Sequence, residues 1–359
     1  MKRFVIVICL LGVIAAIVLR VIHRQPTEAL YRITDLGTLG STHSSAVDIN
    51  DQGQIVGRSN PASRRIGNGA FLWANGKMID ISIPGYTNSR PIRIYDPGQV
   101  IIEAYGKNGK HAITHFIWQN GGRRELKSPD GNTLRPLAIN NKGQIVGMLG
   151  AGRGRSGFIM EKSKIRKLGA FEGMEVMPYD INDKGQIIIQ SGSAESMRSF
   201  VLHDGRRTEL IAEGFRKKLA LRINNDGDII GILFKDDASP EKAGLWRGGK
   251  AILLGSLRGE QGWARAYDIN NKEQVVGGSE INRFLPREER DALPMFPYVN
   301  HPFIWENGKM KDLNNLIPRN SGWTLIVAVA INDKGQIVGS GVHDGKDRAY
   351  LLTPIDKTQ

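Results

Sequence analysis

Apolar residues in this chain come in short alternating runs broken by turn residues, and the same runs return at a nearly constant interval. The first set shows the plan. AVDIN at residues 46–50 reads as a strand, and DQG at 51–53 as a turn with glycine where a positive φ is needed. QIVG at 54–57 is a second strand, AFLW at 70–73 a third, and KMIDIS at 77–82 a fourth, entered through an Asn75-Gly76 hairpin turn. The phrase INDQGQIVG that joins the first two strands begins at Ile49 and recurs at Ile139, Ile181, Ile223, Ile269 and Ile331, with a degraded copy, IYDPGQVII, at Ile94. Successive copies are 45, 45, 42, 42, 46 and 62 residues apart. Four short strands in about 45 residues is the blade length of a β-propeller. Beyond the N-terminus no stretch of ten or more residues keeps a helical period, which excludes helical repeats.

The two ends of the chain complete one another. The seventh unit stops at its third strand, AYLLT at residues 349–353, while YRITDL at 31–36 precedes the first unit and matches the fourth strands MIDIS at 78–82 and MKDL at 310–313. The N-terminal strand therefore closes the ring by completing the last blade, and closure removes the exposed sheet edges of an open array. The prediction is an all-β fold: a seven-bladed β-propeller of four-stranded antiparallel blades over residues 31–355, preceded by one apolar N-terminal helix. HFIWQNGG at residues 115–122 makes the degraded copy at Ile94 a blade rather than a loop.

The DLGTLG opening at residues 35–40, the INxxGQIVG core and the FLWxNGK hairpin together resemble the HAF repeat family, over about residues 31–353. The resemblance implies a propeller-like fold outside the cytoplasm and no established reaction. The chain departs from the pattern at Tyr95-Asp96-Pro97, at Glu273 in place of glycine, and in carrying histidine at the name-giving position only in His115 and His301.

Residues 1–24 change the picture of location. Lys2 and Arg3 are followed by sixteen uncharged, mostly apolar residues, 4–19, and then by Arg20 and Arg24. A positive start before an apolar run is an export signal. As a helix the run covers roughly 24 Å, short of the roughly 30 Å hydrocarbon core, unless Arg20 snorkels and Val21 and Ile22 extend it. No small-x-small cleavage site follows. The expectation is a membrane anchor with the propeller facing the periplasm or the cell exterior; the alternative is secretion after signal cleavage. Residues 25–30 read as a linker and 356–359 as a tail. The single cysteine, Cys9, lies inside the apolar run, so disulfides, CxxC zinc sites and a cysteine nucleophile are excluded from the rest.

Formal net charge is +13, of which residues 1–24 carry four, leaving +9 on the remainder. A basic surface favours an anionic glycan, lipid or protein partner, and export removes nucleic acid from consideration. Binding residues usually sit on variable loops of a rigid scaffold. The loops joining second and third strands vary most, at residues 58–68, 147–156, 190–198, 235–242, 279–300 and 340–347, and they share the face opposite the INxxG turns. Arg58, Arg64, Arg65, Arg153 and Arg155 are candidate anion clamps there, against the plainer reading of solvated loop charges. Phe284, Phe296 and Tyr298 in the long sixth-unit insertion suit a partner contact or a cover over the ring.

One residue before each motif isoleucine stand Asp48, Arg93, Ala138, Asp180, Arg222, Asp268 and Ala330. On inner strands these line the funnel, where Asp48 could pair with Arg93, and Arg222 with Asp180 or Asp268. A structural role fixing blades competes with a ligand-binding or catalytic one. GRGRSG at 152–157 lacks a βαβ context, and DINDQG at 48–53 lacks the ligands of a calcium loop, so no cofactor or metal is expected. The expected function is a non-catalytic binding or scaffold module. The alternative is a glycan-acting enzyme, hydrolase or lyase, using Asp180 and Asp268 as an acid pair.

Overall fold

The computed structural model describes residues 29–62, 69–107, 110–150, 155–192, 197–236, 238–281 and 300–355. The expected N-terminal helix, most of the linker and the tail lie outside these residues. Among the described residues no helix is long and apolar enough to cross a membrane.

Seven four-stranded antiparallel sheets follow one another along the chain. The innermost strands, in blade order, are Gly40–Ile49, Tyr86–Tyr95, Leu134–Ile139, Met177–Ile181, Lys217–Ile223, Ala264–Ile269 and Trp323–Ile331. Each meanders outward through its second, third and fourth strands. The unit at Ile94 forms a full blade, as its third strand predicts. One small addition was not foreseen: a two-stranded hairpin, Ala170–Phe171 with Met174–Glu175, in the crossing from blade 3 to blade 4. Glu172 and Gly173 make its tight turn, both at positive φ (50° and 76°).

The ring closes where expected. Tyr31–Asp35 pairs antiparallel with the third strand of blade 7, from Tyr31 opposite Pro354 to Asp35 opposite Tyr350. Tyr31 and Leu36 are buried, and the Leu36 N–H donates to the Ala349 carbonyl at 3.1 Å.

Two features give the repeated phrase its physical meaning. The motif asparagine ties the turn together: the Asn182 side-chain oxygen accepts from the Gln186 N–H at 3.0 Å, and its amide donates to Gln186 Oε1 at 2.7 Å. That reciprocal lock is why glutamine follows four residues later. The motif's last glycine, such as Gly57, faces the carbonyl of Ser45 on the inner strand, where a Cβ would overlap that oxygen and the Phe71 ring. The crowding arises from a β-bulge that every inner strand carries at one place, between Ala46 and Asp48 in blade 1 and between Ala328 and Ala330 in blade 7.

The cores lie between blades. Trp246 of blade 5, which is 1% exposed, packs among Ile188 and Leu210 of blade 4, and Trp305 of blade 6 packs against Leu245 and Leu254 of blade 5. Tryptophan on the third strand thus fills the groove toward the preceding blade, and burial of each such side chain stabilises the ring by roughly 2–3 kcal/mol.

Candidate functional site

The bulge on each inner strand turns the residue before the motif isoleucine toward the axis. Three aspartates at that position each reach into the next blade. Asp48 accepts from the Ile94 N–H at 3.0 Å, Asp180 from the Ile223 N–H at 3.1 Å, and Asp268 from the Ile331 N–H at 2.9 Å. They staple blade 1 to 2, blade 4 to 5 and blade 6 to 7.

Arg93 lies between two of them, 3.6 Å from Asp48 Oδ1 and 3.5 Å from Asp180 Oδ1. The expected Asp48–Arg93 pair is present. The expected pairing of Arg222 with Asp180 or Asp268 is not: among the described residues no carboxylate lies within ion-pair distance of it, and its Nη1 donates to the Leu221 carbonyl at 2.9 Å. Leu221 is the bulge residue of its strand, left out of the ladder, so its carbonyl is open to Arg222, while Arg93 occupies the place beside Asp180.

Burial sets the direction in which Asp268, Asp48 and Arg222 titrate. It pushes the Asp268 carboxyl up to about 7, with the neighbouring Asp48 charge adding to the rise and Arg93, Arg222 and the Ile331 N–H opposing it. Burial also raises Asp48, outweighing Arg93 and the Ile94 N–H. Burial alone would lower Arg93, but Asp48, Asp180 and Asp268 together hold it above its ordinary value. Arg222 falls, through burial and the Arg93 charge.

The axial cavity above these groups has a volume of roughly 180 Å³ and is lined by the seven INxxG turns. Motif asparagines link turn to turn around it: Asn140 Nδ2 donates to the Asn182 carbonyl, Asn182 to Asn224, Asn224 to Asn270, Asn270 to Asn332, and Asn332 to Asn50, at 2.9–3.1 Å. Tyr95 interrupts the series in blade 2, accepting from Asn50 at 3.5 Å. Ligand pockets usually start at about 300 Å³, so the cavity suits water or a small ion rather than a sugar ring. No group of three or more His, Cys, Asp or Glu among the described residues is arranged to hold a metal ion.

The opposite face carries the variable loops. Arg64, Arg65, Arg153, Phe284, Phe296 and Tyr298 lie outside the described residues. Arg155 is exposed, at the start of blade 3's third strand. Arg58 sits opposite Ser45 at this end of blade 1; it is half-buried, and its Nε has no partner. Burial and the like charge of Arg90 pull its pKa down. Arg90 and Arg135 are exposed inner-strand residues of blades 2 and 3, and both act on Glu103, whose pKa is lowered first by its bond to His115 and then by these two arginines. Sequence reasoning missed Arg90 and Arg135. The signal was four residues before the motif isoleucine, where arginine appears at 90, 135 and 265. Arg265 is already engaged by Glu241.

No family model matches the chain, and no curated protein matches its sequence. Solved structures do match its shape. The β-propeller domain of the Trilobed protease from Pyrococcus furiosus superposes with a TM-score of 0.52 at 15% identity, over 74% of this chain and 82% of that one. The fold is a β-propeller. That domain is described as having an open velcro topology, whereas the first strand here pairs with the last blade. A puromycin-hydrolyzing peptidase of Mycobacterium tuberculosis matches with a TM-score of 0.56 at 10% identity, over 94% of this propeller chain but only 56% of the peptidase. YCF48 bound to a D1 peptide matches with 0.54 at 10% identity, over 93% and 98%. At these identities the likeness is one of fold alone.

Proposed function

We propose that the protein is a non-catalytic recognition propeller that takes an anionic partner on its variable-loop face. The observation that carries this reading is the placement of Arg58, Arg90 and Arg135 at one level of blades 1 to 3, around a single carboxylate, Glu103, with Arg58 half-buried, its Nε without a partner and its charge opposed by that of Arg90. A phosphate or carboxylate placed there relieves the repulsion and meets forked donors. Arg155 stands exposed at the start of blade 3's third strand, and Arg64, Arg65 and Arg153 add positive charge to the neighbouring loop sequences.

The glycan-acting alternative needs a free acid and a free base. Asp180 and Asp268 are instead each held by a backbone N–H of the next blade, beneath a cavity small for a sugar. The sequence of residues 1–24 and the resemblance to HAF repeats support display outside the cytoplasm, anchored in the membrane or released after cleavage.

The test uses vesicles of phosphatidylglycerol and of phosphatidylcholine with the full chain and its Arg58→Gln/Arg90→Gln/Arg135→Gln variant. Each arginine near an anionic surface contributes about 1 kcal/mol. Loss of three therefore weakens retention on phosphatidylglycerol roughly a hundredfold, with an unchanged melting temperature. Equal retention of variant and parent rejects the reading.

A further inference from the structure

We propose that the groove between blades 3 and 4, on the face of the INxxG turns, is a second binding site, for a small amphiphilic anion: a phosphate or carboxylate head on a short apolar body. It goes beyond the variable-loop reading and lies on the other side of the ring.

The groove exists because one blade departs from the repeat. At the third-strand position that faces the preceding blade, four blades carry Trp73, Trp118, Trp246 and Trp305. Blade 4 carries Leu202. Trp246 shows what the tryptophan does: its ring packs among the side chains of blade 4, and its Nε1 donates to the Ile211 carbonyl at 2.9 Å. Leu202 packs toward Leu168 and Ile159 of blade 3 but is too small to fill the same space. A cavity of roughly 340 Å³ opens beside it, lined by Ile159, Leu168, Ile187 and Leu202. That volume falls within the range of small-molecule sites, about 300–1,000 Å³. The other two blades without tryptophan are closed differently. Met160 of blade 3 is buried opposite Ile165, and Leu352 of blade 7 is fully buried opposite Ile33.

The residue across the strand pair from Leu202 is Arg207, where the tryptophan blades carry Met78, Arg123, Ala251 and Met310. Arg207 takes over the hydrogen bonding of the indole, donating to the Leu168 and Ala170 carbonyls at 3.3 Å each. Its guanidinium lies 5.3 Å from the Phe171 ring centre, which holds it in one pose at the groove wall. Lys142, Lys184 and Arg166 join it on the lining, against a single carboxylate, Asp204. Lys184 is 3.8 Å from the exposed Asp226, a solvent-screened pair. Four cations around an aliphatic floor match an anion that carries an apolar body. Neither a bare phosphate nor an uncharged alkane uses both halves of the site.

The experiment is calorimetric titration of the full chain with hexyl phosphate, hexanoate, inorganic phosphate and hexanol. Hexyl phosphate and hexanoate bind, while inorganic phosphate and hexanol bind at least about tenfold more weakly, because each forfeits one half of the contacts. Leu202→Trp restores the residue of the other blades. It keeps or raises the melting temperature and abolishes hexyl phosphate binding. Should Leu202→Trp fail to fold, Leu202→Phe and the surface pair Lys142→Gln/Lys184→Gln carry the test, each weakening hexyl phosphate about tenfold or more. Arg58→Gln/Arg90→Gln/Arg135→Gln leaves this binding unchanged, so the two sites fail independently. No binding of hexyl phosphate, equal binding of inorganic phosphate, or unchanged affinity in folded Leu202 variants overturns the proposal.

Discussion

Asp268 is the residue whose environment has the clearest measurable consequence. Its folded carboxyl keeps its proton to about pH 7, against 3.8 for the ordinary group. Between those values the folded state binds more protons than the unfolded state, so this group's contribution is full below the lower value and is lost as pH rises through the upper one. Asp268→Asn keeps an acceptor for the Ile331 N–H and does not titrate. The melting temperature of the parent should therefore fall relative to Asp268→Asn as pH is raised from about 5 to about 8; a constant difference removes the buried-acid account. Glu273 makes a second case. It replaces the glycine of the INxxG turn and still adopts a φ of 61°, a conformation that costs an L-residue roughly 1–2 kcal/mol. Its carboxylate lies 2.8 Å from Arg247, an exposed pair that salt screens. Glu273→Gly should stabilise the protein, most clearly at high salt, as read by denaturant midpoints. A lower midpoint at high salt contradicts this.

At the scale of the element, the INxxG turn joins blades as well as strands. Asn182 accepts from the Lys184 and Gln186 N–H groups and donates to the Asn224 carbonyl of the next blade. Asn182→Ala takes this partner from two part-buried N–H groups and the buried Asn224 carbonyl and should cost roughly 2–4 kcal/mol. Asn141→Ala, whose side chain links the same turns on their exposed rim by accepting from the Asp96 N–H and donating to Asp183, should cost about 1 kcal/mol or less. Equal effects of the two in chemical denaturation refute the buried inter-blade role of Asn182. The turn was legible in the sequence because local chemistry fixes it: asparagine, glycine and glutamine sit within five residues of one another. The partner of Asp48 or Asp180 was not legible, since it is a backbone N–H on another blade, 46 or 43 residues away, and backbone donors leave no mark in side-chain identity. Arg222 was misread because the bulge that frees the Leu221 carbonyl has no residue signature of its own. The groove at Leu202 did leave a signal, the loss of tryptophan from one repeat, whose meaning depends on knowing which blade that side chain faces.

At the scale of the whole molecule, seven similar units gain their stability from neighbours, since each core is shared between adjacent blades. Repetition is why the architecture could be read from the chain, including the blade at Ile94 and the return of the N-terminal strand. The binding faces were less legible, because they depend on where repeats differ rather than on what they share. Both proposed sites require a rigid closed ring, and closure depends on Tyr31–Asp35 standing beside the last blade. The most direct measurement is thermal unfolding of the chain with residues 31–36 deleted. Loss of buried Tyr31 and Leu36, with the ladder they belong to, should lower the melting temperature by on the order of 10 °C and loosen the whole ring at once. A deletion variant that melts with the parent would show that the blades need no closure and would contradict the account.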